Sequence, residues 1–303
     1  MSRRTLRGFR AALPLLVLAC ARPAPSATAT LQDAEGRPVV VRKLPVQRIV
    51  STMPSATEWI VLLGAADLLV ARTDFDRQPE LARLPSIGGG QYPSAEGLLA
   101  LSPEIIIGWR DRSSLDLQHA LTPFHIPVLS FETADTADVL RNLKHLGVLV
   151  GREAKADSLA AELRSSLAAV KATACDPGDT TPPSVFVVLW SDPPMTAGGP
   201  TWMTTLLETA CLTNAFADIT VPWPTVSLES ITARQPTWIL TSRGKVAGDR
   251  LAEFRGKPGW RDLNAVRAGR IIEISGDLFA RSGPSIAEAA RAIVAERRRI
   301  AGE

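Results

Sequence analysis

The segment VPWPTVSLESI, Val221 to Ile231, sets a tryptophan between two prolines and then opens a helix signal. Neither Pro222 nor Pro224 has an amide hydrogen to give, and Pro224 pushes Trp223 toward extended geometry. The indole therefore belongs to a stiffened loop. A loop-held indole either plugs the protein's own core or is held out as a platform for a flat, apolar ligand. The same choice applies to Trp109, Trp190, Tyr92 and Phe279, which fall at strand ends or in Pro/Gly loops. In a chain with seven Trp and one Tyr, the set taken together favours a binding surface. Indoles would supply area, and an arginine such as Arg110, beside Trp109, or backbone groups would fix orientation.

Other chemistry has no visible carrier. The three histidines, His119, His125 and His145, form no HExxH; there is no GxSxG and no phosphate-binding glycine loop. SIGGG at Ser86 to Gly90 lacks the Lys-Ser/Thr ending and reads as a turn. A transition-metal site gathers several His, Cys or carboxylate ligands, and no such cluster stands out. An exported enzyme without a recognisable motif remains the reading of another class.

The elements that position these aromatics come in two series. RIVST, SATEWIVLLG, DLLVART, SAEGLLALSP, EIIIGW, IPVLSF and TADVLRNLKHLGVLVG alternate short apolar runs with amphipathic stretches. SVFVVLW, TWMTTLLETAC, SLESITARQP, WILTSR, RIIEIS and a helix from Ser285 repeat the pattern. Both series indicate an α/β lobe. Between them Leu159, Leu163, Leu167 and Val170 mark one stripe of a long helix from Arg152 to Ala174, stopped by Asp176, Pro177 and Gly178. Such a helix is a stiff strut between lobes; an ordinary surface helix of one domain is the alternative. SAEGLLALSPEIIIG from Ser94 aligns without gaps on SLESITARQPTWILT from Ser227, which pairs Glu96 with Glu229 on two Ser-capped helices.

The chain of 303 residues is 46% hydrophobic, enough for a substantial core. Its net charge of +3 includes Arg3, Arg4, Arg7 and Arg10, and the remainder is balanced, so nothing electrostatic suggests nucleic acid. MSRRTLRGFRAALPLLVLAC reads as an export signal over 1–19, too short to be a permanent membrane span. LVLAC resembles a lipoprotein box ending at Cys20, which would be acylated; cleavage after Ala29 is the alternative. Residues 20–44 read as a tether and N-terminal segment, with Ala21 to Thr30 flexible. The lobes then fall at 45–151 and 176–303, with the strut at 152–175. Cys175 and Cys211 are an even pair in an oxidising compartment, either bridged or both free.

RIVSTMPSATEWIVLLG, PSIGGGQYPSAEGLLALSPEIIIGW, VPWPTVSLESITARQP and GDLFARSGPSI resemble the periplasmic cobalamin-binding proteins that feed ABC importers, within the helical-backbone class of substrate-binding proteins. The resemblance implies two α/β lobes joined by one helix, with a corrinoid in the cleft and no cofactor. Carried over by position, Phe75, Trp109, Met195 and Trp223 would face the ligand, with Arg110 and Phe279 nearby. Asp277 and Arg281 would hydrogen-bond its periphery. Glu96 and Glu229 would dock into arginine pockets on a permease dimer. The chain departs from the family at Gly90, near where the family carries a tryptophan. It also has no cysteine on the terminal helix, which leaves Cys175 as the candidate partner of Cys211. A ferric-siderophore or haem carrier of the same fold is the nearest rival; Arg110, Arg112, Arg243 and Arg281 are the cations placed to serve it.

Overall fold

The computed structural model describes residues 27–175, 181–244 and 249–302. The segment read as an export signal, 1–19, and Cys20 lie outside the described residues. Strands β1 (Ala27–Gln32) and β2 (Pro38–Leu44) form an antiparallel hairpin, so the tether reading fails from Ala27 onward. The Asp33 carboxylate turns the hairpin by accepting from the Glu35 and Arg37 amides at 3.0 and 2.8 Å. Val39 and Val41 alternate inward and bury on the lobe.

The N-lobe sheet is parallel, ordered β3 (Ile49–Ser51), β4 (Ile105–Trp109), β5 (Val128–Phe131). Its helices are α1 (Pro54–Leu62), α2 (Ala95–Ala100), α3 (Arg112–Leu121) and α4 (Thr136–Val150). The DLLVART run is not a strand: Leu69 makes only an isolated bridge to Ile49. Helix α5 (Glu153–Ala174) is the connecting strut.

The C-lobe sheet, also parallel, runs β11 (Ile271–Ile274), β10 (Trp238–Ser242), β6 (Ser184–Val188), β9 (Thr213–Asn214). A two-stranded hairpin, β7 (Trp190–Ser191) and β8 (Pro194–Met195), follows β6. The lobe's helices are α6 (Trp202–Thr209), α7 (Leu228–Arg234), α8 (Asp249–Gly256), α9 (Asn264–Arg267), α10 (Gly276–Ala280) and α11 (Ile286–Ala301).

The central strands read as continuous apolar runs because both faces of each sheet are covered. On β4, Ile105 and Ile107 enter a core shared by the two lobes, while Ile106 enters an outer core with Val50, Leu98 and Leu117. On β6, Val185 and Val187 enter the shared core, and Phe186 packs outward on Phe216 and Trp260. The shared core continues from the hairpin through α1, α4 and α5 to α6 and α11. Its continuity opposes hinge bending, because opening the lobes would expose packed apolar surface. At the strut's end Cys175 and Cys211 are disulfide-bonded, with Cα atoms 5.2 Å apart. Arg297 of α11 reinforces the joint, donating to the carbonyls of Ala174, Ala210 and Cys211 at 3.1 to 3.2 Å. Ala174 ends α5 and Ala210 caps α6, so their carbonyls are among those that helix ends leave unpaired, and cations favour them.

Candidate functional site

A cleft of about 950 Å³ opens at the carboxyl ends of β3, β4 and β11, where open α/β sheets bind ligands. Thr52 follows β3, Trp109 ends β4, and Gly276 and Asp277 follow β11; all line it. Phe75, Arg77, Tyr92 and the glycine arch Gly88–Gly90 complete the N-lobe wall, and Arg281 closes the floor. Phe75 is 53% and Tyr92 88% exposed, too open for core residues.

The arch read as a turn from sequence is one, and its geometry leaves no choice of residue at Gly90. Its φ is +81°, and a Cβ would stand 2.5 Å from the Thr52 carbonyl oxygen. No tryptophan fits this backbone at Gly90.

The C-lobe contributes a different kind of surface. Trp190 pairs with Met195, Met195 bridges Thr225, and the amides of Thr196 and Gly198 donate to the carbonyls of Pro224 and Pro222 at 3.0 and 2.8 Å. Directly opposed residues and alternate residues of an antiparallel ladder share a face. Trp190, Met195 and Trp223 therefore project from one side of a three-stranded ribbon, 63, 36 and 42% exposed. This ribbon stands at the carboxyl edge of the C-lobe sheet, just beyond β6 and outside the lining of the cavity itself. Trp223 is a held-out ring, not a plug.

Buried Asn214 clamps the ribbon from behind. Its amide nitrogen donates to the carbonyls of Ala197 and Gly198 and to Thr204 Oγ1 at 3.0 to 3.2 Å, and its oxygen accepts from the Phe216 amide.

Two of the sequence-derived contacts lie elsewhere. Phe279 is buried in the shared core, because the single turn of α10 presents Asp277, Ala280 and Arg281 to the cleft and turns the phenyl ring away. Arg110 leaves the cleft to pair with Glu132 at 2.7 Å and with Glu35 of the hairpin turn at 3.8 Å. Of the other cations, Arg112 sits beside Asp116 on its own helix, and Arg243 donates to the Glu273 carbonyl.

Sequence reasoning missed Glu58 and Arg77. Glu58 is the single charged residue in the SATEWIVLL segment, and that isolation was its signal. Arg281 pairs with Glu58 across the lobes, and donates to the Phe75 carbonyl at 2.9 Å and Asp277 at 3.0 Å. Arg77 lies 3.8 Å from Asp277. Burial raises the Glu58 carboxyl above its ordinary value, against the pull of the Arg281 hydrogen bond and charge. Arg281 in the floor is thus held between two carboxylates, while the more exposed Arg77 of the wall has a longer contact with the same Asp277.

Glu96 and Glu229 lie in the first turns of α2 and α7, under side-chain caps from Ser94 and Ser227. Both are exposed and neither makes a salt bridge among the described residues.

Two α/β lobes, a connecting helix and an interlobe cleft define a carrier architecture, not a catalytic one. The chain belongs to the periplasmic binding protein family, whose model matches residues 49–278. It is similar to an ABC transporter substrate-binding lipoprotein of Bacillus subtilis, with 31% identity over 86% of this chain and 82% of the relative. It is also similar to a vitamin B12-binding protein of Pectobacterium atrosepticum, with 27% identity over 82% and 88%. A periplasmic haem-binding protein of Pseudomonas aeruginosa superposes with a TM-score of 0.71 at 27% identity, covering 82% of this chain and 92% of that one. The protein is a substrate-binding component of an ABC transporter and not an enzyme, so a permease and a small-molecule ligand are its partners.

Proposed function

We propose that the cleft captures a corrinoid, cobalamin or a close relative, for delivery to the permease. The observation that carries this is the charge balance of an aromatic cleft. Phe75, Trp109 and Tyr92 offer flat apolar contact, while Arg77 and Arg281 are matched by Asp277 and Glu58. A neutral macrocycle rimmed by amides suits such a surface. An anionic siderophore or haem with two propionates would find Arg281 already taken by two carboxylates and only the exposed Arg77, 3.8 Å from Asp277, left to meet it. The resemblance of VPWP and DLFAR to cobalamin binders, and the vitamin B12-binding relative, support the same ligand.

The test is titration with cyanocobalamin and with haemin, followed by tryptophan fluorescence and equilibrium dialysis. Cyanocobalamin should bind and haemin should not; saturable haemin binding without corrinoid binding would overturn the proposal. Trp109→Ala and Trp223→Ala should each cost about 1 kcal/mol or more, roughly fivefold in affinity, if both rings are buried by ligand. Wild-type affinity in the folded double variant would remove the tryptophans from the site.

One observation favours haem as the second reading. Tyr92, the chain's single tyrosine, lines the cleft, and a phenolate can ligate haem iron. Tyr92→Phe should leave corrinoid affinity near wild type and would abolish haem binding if that reading held.

Acylation of Cys20, placing the protein on the membrane's outer face, belongs to the proposal through LVLAC and the lipoprotein relative. Cys20→Ser should then release it from the membrane fraction; unchanged fractionation would refute the anchor.

A further inference from the structure

We propose that Arg281 is a positioning residue: a cross-lobe latch that holds the Phe75 loop against α10, so that one wall of the cleft is set by a side chain of the opposite lobe. The proposal rests on the cleft reading above only for its ligand-binding arm.

Arg281 ends α10, in the C-lobe, yet two of its three acceptors are in the N-lobe. One is Glu58 on α1, and the other is the backbone carbonyl of Phe75, 2.9 Å from Nη2. The third, Asp277 at 3.0 Å, lies one turn back on its own helix and orients the guanidinium. Both terminal nitrogens are engaged, and the side chain is only 12% exposed. A planar fork reaching two segments at once is a geometry that arginine provides and lysine does not.

The seam around the latch is tight. A Cβ on Gly283 would lie 3.0 Å from Ser55 Cβ and 3.1 Å from Glu58 Oε2, so the chain after Arg281 runs directly against α1. Glu58 Oε1 takes the arginine, while Oε2 finds no protein partner among the described residues. Glu58 does not line the cleft.

The Phe75 loop needs such a hold. Within its own lobe the Phe75 amide donates, among the described residues, to the Thr73 hydroxyl alone at 3.2 Å, and the Asp76 carboxylate takes the Thr73 amide at 2.7 Å. The Asp74 amide reaches the Gly88 carbonyl at 2.9 Å. These contacts shape the loop and join it to the glycine arch, but among the described residues only Arg281 ties the Phe75 carbonyl to the cleft floor.

The deciding experiment is hydrogen exchange on the unliganded full chain, comparing wild type with Arg281→Lys, with Glu58→Met, and with the double variant Glu58→Met/Arg281→Met. The latch predicts exchange at Asp74 to Asp76 about tenfold faster in each single variant, unchanged exchange in β10 and α7, and a double variant no faster than either single. Unchanged exchange at Asp74 to Asp76 in Arg281→Lys overturns the proposal, and that variant suffices if Glu58→Met does not fold.

Cyanocobalamin titration then separates a latch from a direct contact. The latch weakens binding about fivefold or more in both single variants, although Glu58 touches no ligand. A direct contact predicts weakening in Arg281→Lys and retained or tighter binding in Glu58→Met, which also overturns it. Absence of corrinoid binding by wild type would sink the functional proposal and leave the exchange result to decide the latch.

Discussion

The N-lobe wall of the cleft and the C-lobe ribbon, a second wall that stands beyond the cavity lining, are built on opposite principles. The C-lobe ribbon carries Trp190, Met195 and Trp223 on backbone hydrogen bonds between three adjacent segments, clamped behind by one buried, fully satisfied asparagine. Its aromatics are fixed by their own lobe. The N-lobe wall carries Phe75 and Tyr92 on loops shaped by left-handed glycines and short side-chain bonds, and its key carbonyl is held from the other lobe. One wall is thus preorganised, while the order of the other depends on the two lobes staying in register. The continuous core and the disulfide at the end of α5 keep that register.

The same small substitution made on each wall should separate them most sharply. At Gly198 a Cβ would stand 2.1 Å from the Val221 carbonyl oxygen and 2.8 Å from that of Ile219, both backbone atoms. Gly198→Ala must push away the segment that presents Trp223, at about 2 to 3 kcal/mol by the usual scale of overpacking. At Gly89 the added methyl would meet only the Phe75 ring, at an ordinary 3.7 Å. Gly89→Ala should change stability by no more than about 0.5 kcal/mol. Urea unfolding of the two variants checks this. Equal losses would mean that the ribbon is no more rigid than the arch.

What could be read from sequence follows the same division. The parallel strands were legible because burial on both faces makes them continuous apolar runs. The Ser94 and Ser227 caps were legible because their hydroxyls act on amides three residues on. The strut showed in its leucine stripe, of which Leu159, Leu163 and Val170 are buried and Leu167 half-buried.

The first strand of the hairpin hid in a stretch, Ala21 to Thr30, whose Ala, Thr and Pro content matches that of a tether. The facing of a five-residue helix is not set by periodicity, so Phe279 and Asp277 could not be told apart. Arg110 was misread because its acceptors, Glu132 and Glu35, come from β5's exit and the hairpin. Arg281 and Glu58 are 223 residues apart, and no local pattern announces such a pair.

The latch itself carries a pH signature of intermediate size. The folded-state carboxyl of Glu58 is raised by burial, only partly offset by Arg281, with Asp76 and Asp277 adding to the rise. The native state therefore holds this proton more tightly than the unfolded chain does. Stability from this group is fully present below the unfolded value and is lost as pH rises through the folded one. Relative to Glu58→Gln, wild type should lose unfolding free energy between the ordinary carboxylate range and the folded value on its alkaline side, then run parallel. Urea unfolding of both proteins from pH 4 to pH 8, at about 0.15 M salt to screen surface charge, measures the difference. A constant difference across the range would remove Glu58 as a titrating group. At neutral pH the pair is then a device for geometry more than for stability, as buried ion pairs often are.

The smallest effect on the cleft should come from the two features that the walls have in common. Each wall's aromatic segment runs directly into a Ser-capped helix: Tyr92 lies two residues before Ser94, and Trp223 four before Ser227. Each helix bears an exposed glutamate in its first turn. As local charges, Glu96 and Glu229 favour their helix N-termini by about 0.3 to 1 kcal/mol apiece, which sets the ceiling on what their loss costs the fold. Their larger role, on the proposal that they dock into arginine pockets of the permease, lies outside the chain. Reversing both, Glu96→Arg/Glu229→Arg, would then oppose like charges across that interface and abolish permease-dependent uptake. Corrinoid affinity should stay near wild type, because neither residue lines the cleft. Binding and uptake measured on one preparation decide the matter. Loss of both in a folded protein would move the glutamates into the ligand site, and retention of both would leave them as helix-terminus charges. Loss of uptake alone would place one docking point directly beside each wall, on the preorganised lobe and on the lobe held by the latch alike.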